Sequence, residues 1–228
     1  MKTSKRVIRV TKSDRAKLDD IVAIEASYKF YINRKMVYEF LCSPSDIEEL
    51  LIGYLYINRY INSIEDITKI SIQDDKIDAH IVSQEILDLK PSQTDISIST
   101  TTIWNAMDKL DNSGKTFKST GGTHIAGLFQ HNKILFNFED ISRHNAVLKV
   151  VGRGVQEHVN FSGCAILLSC RITSSIIDLL APLPLHIICS QSAVTDLAIE
   201  KAERTGKSVT GFVRDGRMNL YTGIQRFI

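Results

Sequence analysis

The sequence predicts a mixed α/β protein, with a small β-rich N-terminal domain over residues 1–90 and a layered α/β domain over residues 91–228. Three observations carry this. Hairpin spacing occurs twice in the N-terminal third, strands alternate with one-faced helices after Thr102, and residues 83–102 between them hold Pro91, many Ser and Thr, and little periodicity. The alternation argues for helices layered on a sheet, and the change of pattern places the domain boundary near Pro91.

In the N-terminal part, residues 23–32 and 36–42 are runs of β-branched and aromatic residues around Asn33-Arg34-Lys35, the spacing of a hairpin. Ser45-Asp46-Ile47-Glu48 has the form of a capping box ahead of Ile47, Leu50, Leu51, Tyr54 and Leu55, a helix with one apolar face. Residues 67–73 and 76–82 flank Asp74-Asp75 as a second hairpin. Beyond Thr102, Ile103, Met107 and Leu110 share a helical face that Gly114 ends, and residues 125–129 pair with 134–138 across Gln130-His131-Asn132-Lys133. A helix is expected over 142–151, ended by Gly152. There follow a buried strand (165–170), a helix (173–181), a strand (186–189), a helix (196–205, stopped by Gly206) and a strand (208–213). Asp215-Gly216 then turns the chain into a final hairpin through Asn219-Leu220-Tyr221.

Composition narrows the function. A chain of 228 residues with 43% hydrophobic and 24% charged residues holds a core without staples. Its formal charge of +2 does not favour a nucleic-acid partner. The opening MKTSKRVIRVTKSDRAKLDD lacks the apolar centre of a signal peptide. The most apolar stretch, 165–189, is broken by Arg171, Asp178 and two prolines, so it reads as buried strand and helix and not as a membrane span. The expected location is cytoplasmic, with no membrane partner. Cys42, Cys164, Cys170 and Cys189 have no C-x-x-C spacing and sit in apolar segments, as reduced core thiols do.

Four polar clusters are candidates for chemistry. Thr120-Gly121-Gly122-Thr123-His124 precedes a strand, where two glycines make either a tight turn or bare backbone for a ligand. Glu139-Asp140-Ile141-Ser142-Arg143-His144-Asn145 lies between a strand and a helix, where α/β folds bind ligands and where a solvated cap would also sit. After the next strands come Arg171 with Thr173-Ser174-Ser175, and Ser190-Gln191-Ser192. Each is either a helix cap or, with its neighbour, part of one shared anion pocket. Gly211-Phe212-Val213-Arg214-Asp215-Gly216-Arg217 is an exposed hairpin turn flanked by arginines, a form that also suits a pyrophosphate. There is no G-x-S-x-G, P-loop, G-x-G-x-x-G after a strand, or HExxH, and the histidines show no metal-ligand spacing. The H-x-E and P-C-x-x-C of zinc deaminases are missing too. No metal site is expected.

From about Glu25 to Gln225 the chain resembles the FdhD family of formate dehydrogenase accessory proteins. The resemblance rests on Leu41-Cys42-Ser43-Pro44-Ser45-Asp46-Ile47-Glu48-Glu49-Leu50 with Gly53-Tyr54-Leu55, then on Thr120-Gly121-Gly122-Thr123-His124, then on Glu139 to Val147 with Lys149. It continues with Ser190-Gln191-Ser192-Ala193, Gly211-Phe212-Val213-Arg214 and Tyr221-Thr222. It implies a C-terminal domain of three-layer, cytidine-deaminase-like fold, a homodimer, and binding of the molybdenum cofactor, bis-molybdopterin guanine dinucleotide. Phe212, Val213, Arg214, Asp215, Gly216 and Arg217 would hold the guanine-nucleotide end, for which GDP is a mimic. The other cofactor-binding candidates are Gly121, Gly122, His124, Glu139, Asp140, Arg143, His144, Asn145, Arg171, Ser190 and Ser192, with Glu139 or Asp140 orienting one of the two histidines. The implied partners are a formate dehydrogenase and a cysteine desulfurase, whose sulfur the family passes to the cofactor through a C-x-x-C on a loop before the Thr-Gly-Gly block.

That loop should lie within residues 90–102, where this chain has no cysteine. Serine does not replace it, because its hydroxyl is neither acidic nor soft enough to hold sulfane sulfur. The segment Gly53-Tyr54-Leu55-Tyr56-Ile57-Asn58-Arg59 also lacks the acidic Glu-Gly that often closes this helix in relatives. Two readings follow. In one, the protein binds the cofactor or its nucleotide and supports sulfuration or insertion without carrying persulfide. In the other it is an active sulfurtransferase that uses another thiol, with Cys170 beside Arg171 the candidate. Whether the chain is itself an enzyme stays open between them.

Overall fold

The computed structural model describes residues 1–82 and 96–228. The expected domain boundary at Pro91 and residues 90–95 of the 90–102 segment lie outside them. The chain opens with a ribbon that the sequence reading did not anticipate, strands β1 (Lys2–Val10) and β2 (Arg15–Ala23) paired antiparallel. A four-stranded sheet follows, built from β3 (Ala26–Ile32), β4 (Lys35–Cys42), β5 (Ile67–Gln73) and β6 (Lys76–Ile81), in the order β4-β3-β6-β5. Both predicted hairpins are present. Their turns use left-handed residues, Asn33 and Arg34 in one and Asp74 in the other, which match the twist of the flanking strands.

Helix α1 (Ile47–Ile57) covers one face of this sheet, with Leu50, Leu51 and Leu55 fully buried in the same core as Phe30, Phe40 and Ile77. The expected capping box does not form. Asp46, the N-cap, is left-handed (φ 53°) and makes no side-chain cap, and the Ser45 hydroxyl is buried without a hydrogen-bond partner. The apolar periodicity places the helix without the cap.

The second half contains α2 (Thr100–Ser113), α3 (Lys115–Thr120), β7 (His124–Gln130), β8 (Lys133–Asp140), α4 (Arg143–Gln156), β9 (Ala165–Leu168), α5 (Ser174–Leu180), β10 (Ile187–Ser190), α6 (Asp196–Arg204), β11 (Ser208–Arg214) and β12 (Arg217–Thr222). The strands form one six-stranded sheet, β12-β11-β10-β9-β7-β8, in which β9, β10 and β11 are parallel and the others antiparallel to their neighbours. Alternate residues serve opposite faces, as a pleated strand requires. Ile125, Leu167 and Ile187 join Ile103, Met107 and Leu110 of α2. Leu128, Ile166 and Ile188 join Val147 and Val151 of α4 and Ile176 and Ile177 of α5. The result is the three-layer arrangement expected.

The helix predicted to stop at Gly152 runs on to Gln156. Gly152 is not a terminator but a contact point, and it faces Gly53 of α1. A methyl group on Gly53 would land on the Leu148 carbonyl, and one on Gly152 on the Glu49 carbonyl. Two bare backbones therefore cross at close range. The crossing joins the small sheet's core to that of the large sheet as one continuous cluster. Among the described residues, no helix is long and apolar enough to cross a membrane.

The crossing gives a direct test. Gly53→Ala or Gly152→Ala should destabilise the protein to urea by about 3 kcal/mol or more, because rigid backbone must move to admit the methyl. Gly114→Ala, whose added carbon would find ordinary contacts at 3.6 Å, should not.

Candidate functional site

The parallel strands β9, β10 and β11 end on one edge of the large sheet; β7 runs the other way and starts there, and β8, antiparallel to β7, ends there. Four strands from β7 to β11 span about 14 Å of edge. Every polar cluster singled out in the sequence lies along it, but the members do different work.

Asp140 is fully buried and spends both oxygens on the protein. It accepts from Ser43 N (3.1 Å), Ser142 N (2.9 Å), Asn145 Nδ2 (3.2 Å) and Lys149 Nζ (2.6 Å). Asn145 also donates to the Leu41 carbonyl at 2.9 Å. Glu139 caps α3, accepting from Thr116 N at 2.9 Å and Phe117 N at 2.8 Å, and takes a third bond from Thr123 Oγ1 at 2.9 Å. These three polar residues of the 139–145 block therefore hold structure together. Among the described contacts, neither carboxylate hydrogen-bonds His124 or His144. Gly121 ends α3 in a left-handed conformation, and Gly122 lies where a methyl would meet Ala23 of β2 at 2.9 Å, so both are fully used by turn and packing.

What remains is a basic and histidine-rich neighbourhood. Arg143 opens α4, and its Nε is buried with no hydrogen-bond partner. Its guanidinium and that of exposed Arg171 act together on His124 and on Cys170, so these four side chains surround the end of β9. Burial first, and then the two arginines, hold His124 below the ordinary imidazole range. Burial and Arg143 do the same to His144, whose Nε2 lies 3.0 Å from Ser175 Oγ, itself 3.0 Å from Thr173 Oγ1. Both rings are consequently neutral near pH 7.

Further along the edge, Ser190 Oγ donates to the Cys170 carbonyl at 2.5 Å and accepts from Ser192 N at 2.9 Å. The Ser192 carbonyl accepts from Phe212 N at 3.0 Å. This approach needs Gly211, because a methyl there would sit 2.9 Å from that same carbonyl. Phe212 is itself left-handed (φ 53°) at a bulge in the β11–β12 ladder, and Arg214 lies over its ring at 5.9 Å. Asp215 and Gly216 make the turn at φ 53° and 70°, and Arg214, Asp215, Gly216 and Arg217 are exposed. Val213 is buried in the core. The structure thus brings Ser192 against Gly211 and Phe212 beside the exposed turn 214–217, with Ser190 fully buried beneath.

Cys170 does not gain from its arginines. Burial outweighs them and pushes its thiol up to about 11. Cys42 and Cys164 are pushed to about 12, Cys189 is raised as well, and all four are buried.

One feature was not visible in the sequence. A cleft of about 730 Å³ opens beside the start of α4, between Tyr38, Phe40 and Tyr54 of the small sheet's layer and Ser142, His144 and Asn145. Its walls come from segments about a hundred positions apart, so no local sequence pattern marks it.

The two depressed imidazoles set a pH dependence. The unfolded chain takes up protons near the ordinary value of 6.5 while the folded chain resists them, so stability to urea should fall as the pH drops from about 7 to about 5. His124→Gln should remove part of that loss, measured as the difference between urea midpoints at the two pH values.

The chain matches the FdhD/NarQ family over residues 23–92 and 80–228. It is 31% identical to the "Sulfur carrier protein FdhD" of Methanothermobacter thermautotrophicus, covering 94% of each chain. It is 29% identical to the protein of the same name from Listeria monocytogenes serovar 1/2a, covering 92% of each. A crystal structure described as that of a formate dehydrogenase accessory protein from Desulfotalea psychrophila superposes with a TM-score of 0.88 at 23% identity, covering 100% of this chain and 99% of the other. The blocks that meet along the sheet edge are thus carried on a fold and a sequence that place this chain in the FdhD/NarQ family.

Proposed function

We propose that the protein is a formate dehydrogenase accessory protein that binds bis-molybdopterin guanine dinucleotide, or its guanine nucleotide, and supports sulfuration or insertion of the cofactor without itself carrying persulfide. The observation that carries the reading is a mismatch. Arginines and histidines line the sheet edge, while the chain has no cysteine in residues 83–102 and its four thiols are buried and protonated. Sulfur transfer needs a thiolate that a desulfurase can reach.

In this reading the exposed turn at 212–217 takes the guanine-nucleotide end, with Arg214 and Arg217 as forked donors for its phosphates and Phe212 as an aromatic surface. Arg143 supports an anion further along, since its buried Nε has no partner in the protein. Arg171, His124 and His144 complete that end as donors, and Ser190 and Ser192 shape the edge between the two. When bound, the cofactor supplies the metal and its sulfur ligand, and this chain's residues hold and shield it. Glu139, Asp140 and Asn145 contribute by fixing the loop that carries Arg143 and His144. The protein acts in the cytoplasm, as a homodimer, beside a formate dehydrogenase. A cysteine desulfurase enters only as a donor to the cofactor, not to this chain. The curated relatives are named sulfur carrier proteins, which accords with the alternative of an active sulfurtransferase; in this chain the candidate thiol for it is Cys170. That route needs an opening motion to expose the thiol and lower its pKa.

Two measurements test the reading. GDP should bind the wild type, and Arg217→Ala should weaken it by about tenfold, the value of one charged hydrogen bond; equal affinities would remove the turn from the site. Incubation with a cysteine desulfurase and cysteine, read by intact mass, should add no sulfur. One sulfur atom mapping to Cys170 would establish the alternative.

A further inference from the structure

The β1–β2 ribbon pairs with no third strand among the described residues, and two strands by themselves are marginal in water. Its register fixes which backbone groups face outward. Ile24 N donates to Met1 O at 2.8 Å and Thr11 N to Asp14 O at 2.9 Å, and hydrogen-bonded pairs alternate along an antiparallel ladder. The even-numbered residues of β2 therefore bond β1, and Arg15, Lys17, Asp19 and Ile21 turn their N–H and C=O groups away from it. The Arg15 and Ile21 N–H groups are met by the adjoining side chains of Asp14 (2.6 Å) and Asp20 (3.1 Å). Ala23, at the far end, is covered by Gly122. Among the described residues, 15–21 hydrogen-bond no further strand on this side, although α3 packs against β2.

The two edges of the ribbon differ in charge. β1 carries Lys2, Lys5, Arg6 and Arg9 and no carboxylate, which guards it against pairing with itself. β2 reads Arg15-Ala16-Lys17-Leu18-Asp19-Asp20-Ile21, with cations first and carboxylates second. A second copy laid antiparallel reverses that order, so each positive end meets a negative one. Outward residues must pair with outward residues, so a two-fold axis must pass through a residue and not between two. An axis at Lys17 or at Asp19 sets like charges against each other. An axis at Leu18 sets Leu18 against Leu18, Lys17 against Asp19 twice, and Ala16 against Asp20. Asp19 already accepts from Arg6 Nε at 2.8 Å, so each crossing becomes a three-charge row.

We propose that the free edge of β2 is a self-complementary interface through which two copies of this chain pair about a two-fold axis at Leu18, forming a four-stranded β1-β2-β2-β1 sheet. It rests on the dimeric part of the proposed function and not on the cofactor part. A seven-residue edge is smaller than a standard interface, so the association depends on concentration and weakens with salt.

The axis makes the test specific. At a non-hydrogen-bonded antiparallel pair the two Leu18 Cα atoms lie about 4.5 Å apart, within disulfide range. The two Ile21 Cα atoms lie about 20 Å apart. The native thiols are buried and give little background. Under mild oxidation, full-length Leu18→Cys should form a covalent dimer and Ile21→Cys should not. Lys17→Asp and Asp19→Lys should each be monomeric by light scattering where the wild type is dimeric, with thermal melts confirming that both fold. Mixed together, they should form a heterodimer. Equal cross-linking at positions 18 and 21, or none, overturns the proposal, and so do charge variants that keep the wild-type mass. A dimer that survives every variant would place the interface elsewhere and leave the dimeric reading standing. A wild type that is monomeric at all concentrations would remove both.

Discussion

Four donors on one buried carboxylate hold the arrangement together. Asp140 ends β8, ties the first turn of α4 to itself through Ser142 and Asn145, and reaches across to the loop before α1 through Ser43 N. Lys149, one and a half turns into α4, neutralises it with neither group exposed and also donates to the Ser43 carbonyl at 3.4 Å. Removing either partner would leave an uncompensated charge in the interior, a loss of several kcal/mol. The pair therefore acts less as a source of net stability than as a constraint, since the three segments can meet in only one way that satisfies it. Arg143 and His144 follow Asp140 within four residues, and their placement on the edge is inherited from that constraint.

The glycine crossing of α1 and α4 works alongside it. The crossing lets the helices approach closely enough for Arg153 of α4 to bond Glu49 of α1 at 2.6 Å, while Asp140 and Lys149 lock the other end. Between these two points the small sheet is held against the large one, and the aromatic cleft is what lies beside the join. The near-neutral net charge hides an uneven distribution. The sheet edge gathers Arg143, Arg171, Arg214 and Arg217; of the carboxylates there, Glu139 and Asp140 are occupied within the protein, and exposed Asp215 lies 3.9 Å from Arg214 Nε.

Much of this was legible in the sequence, because hydrophobic periodicity reports packing directly. Apart from β1, β2 and the short α3, which was not anticipated, the strands and helices lie where their period placed them, and both N-terminal hairpins turn at the residues named. The failures have local causes. Ser45 and Glu48 have the form of a cap, yet left-handed Asp46 starts the helix differently. Gly152 looks like a stop and is instead a point of close contact, a distinction that depends on Gly53 a hundred residues away. The β1–β2 ribbon was missed because charges interrupt its alternation, there being little core for it to face. For the site, position was readable and role was not. The polar blocks do converge, but sequence alone could not say that Glu139, Asp140 and Asn145 are occupied internally, or that burial would outweigh the arginines beside Cys170.

Phe212 has a consequence of its own. A side chain other than glycine held at positive φ stores roughly 1–3 kcal/mol of conformational strain, and its ring is the surface over which Arg214 lies. Glycine at this position would relax the backbone and erase the aromatic platform in the same step. Under the proposed function, stability and recognition are thus set against each other at a single residue. Any procedure that ranks variants of this protein by thermal tolerance alone will tend to discard the ring, and under the proposed function a more robust protein obtained that way would be a poorer binder for reasons its melting curve does not reveal.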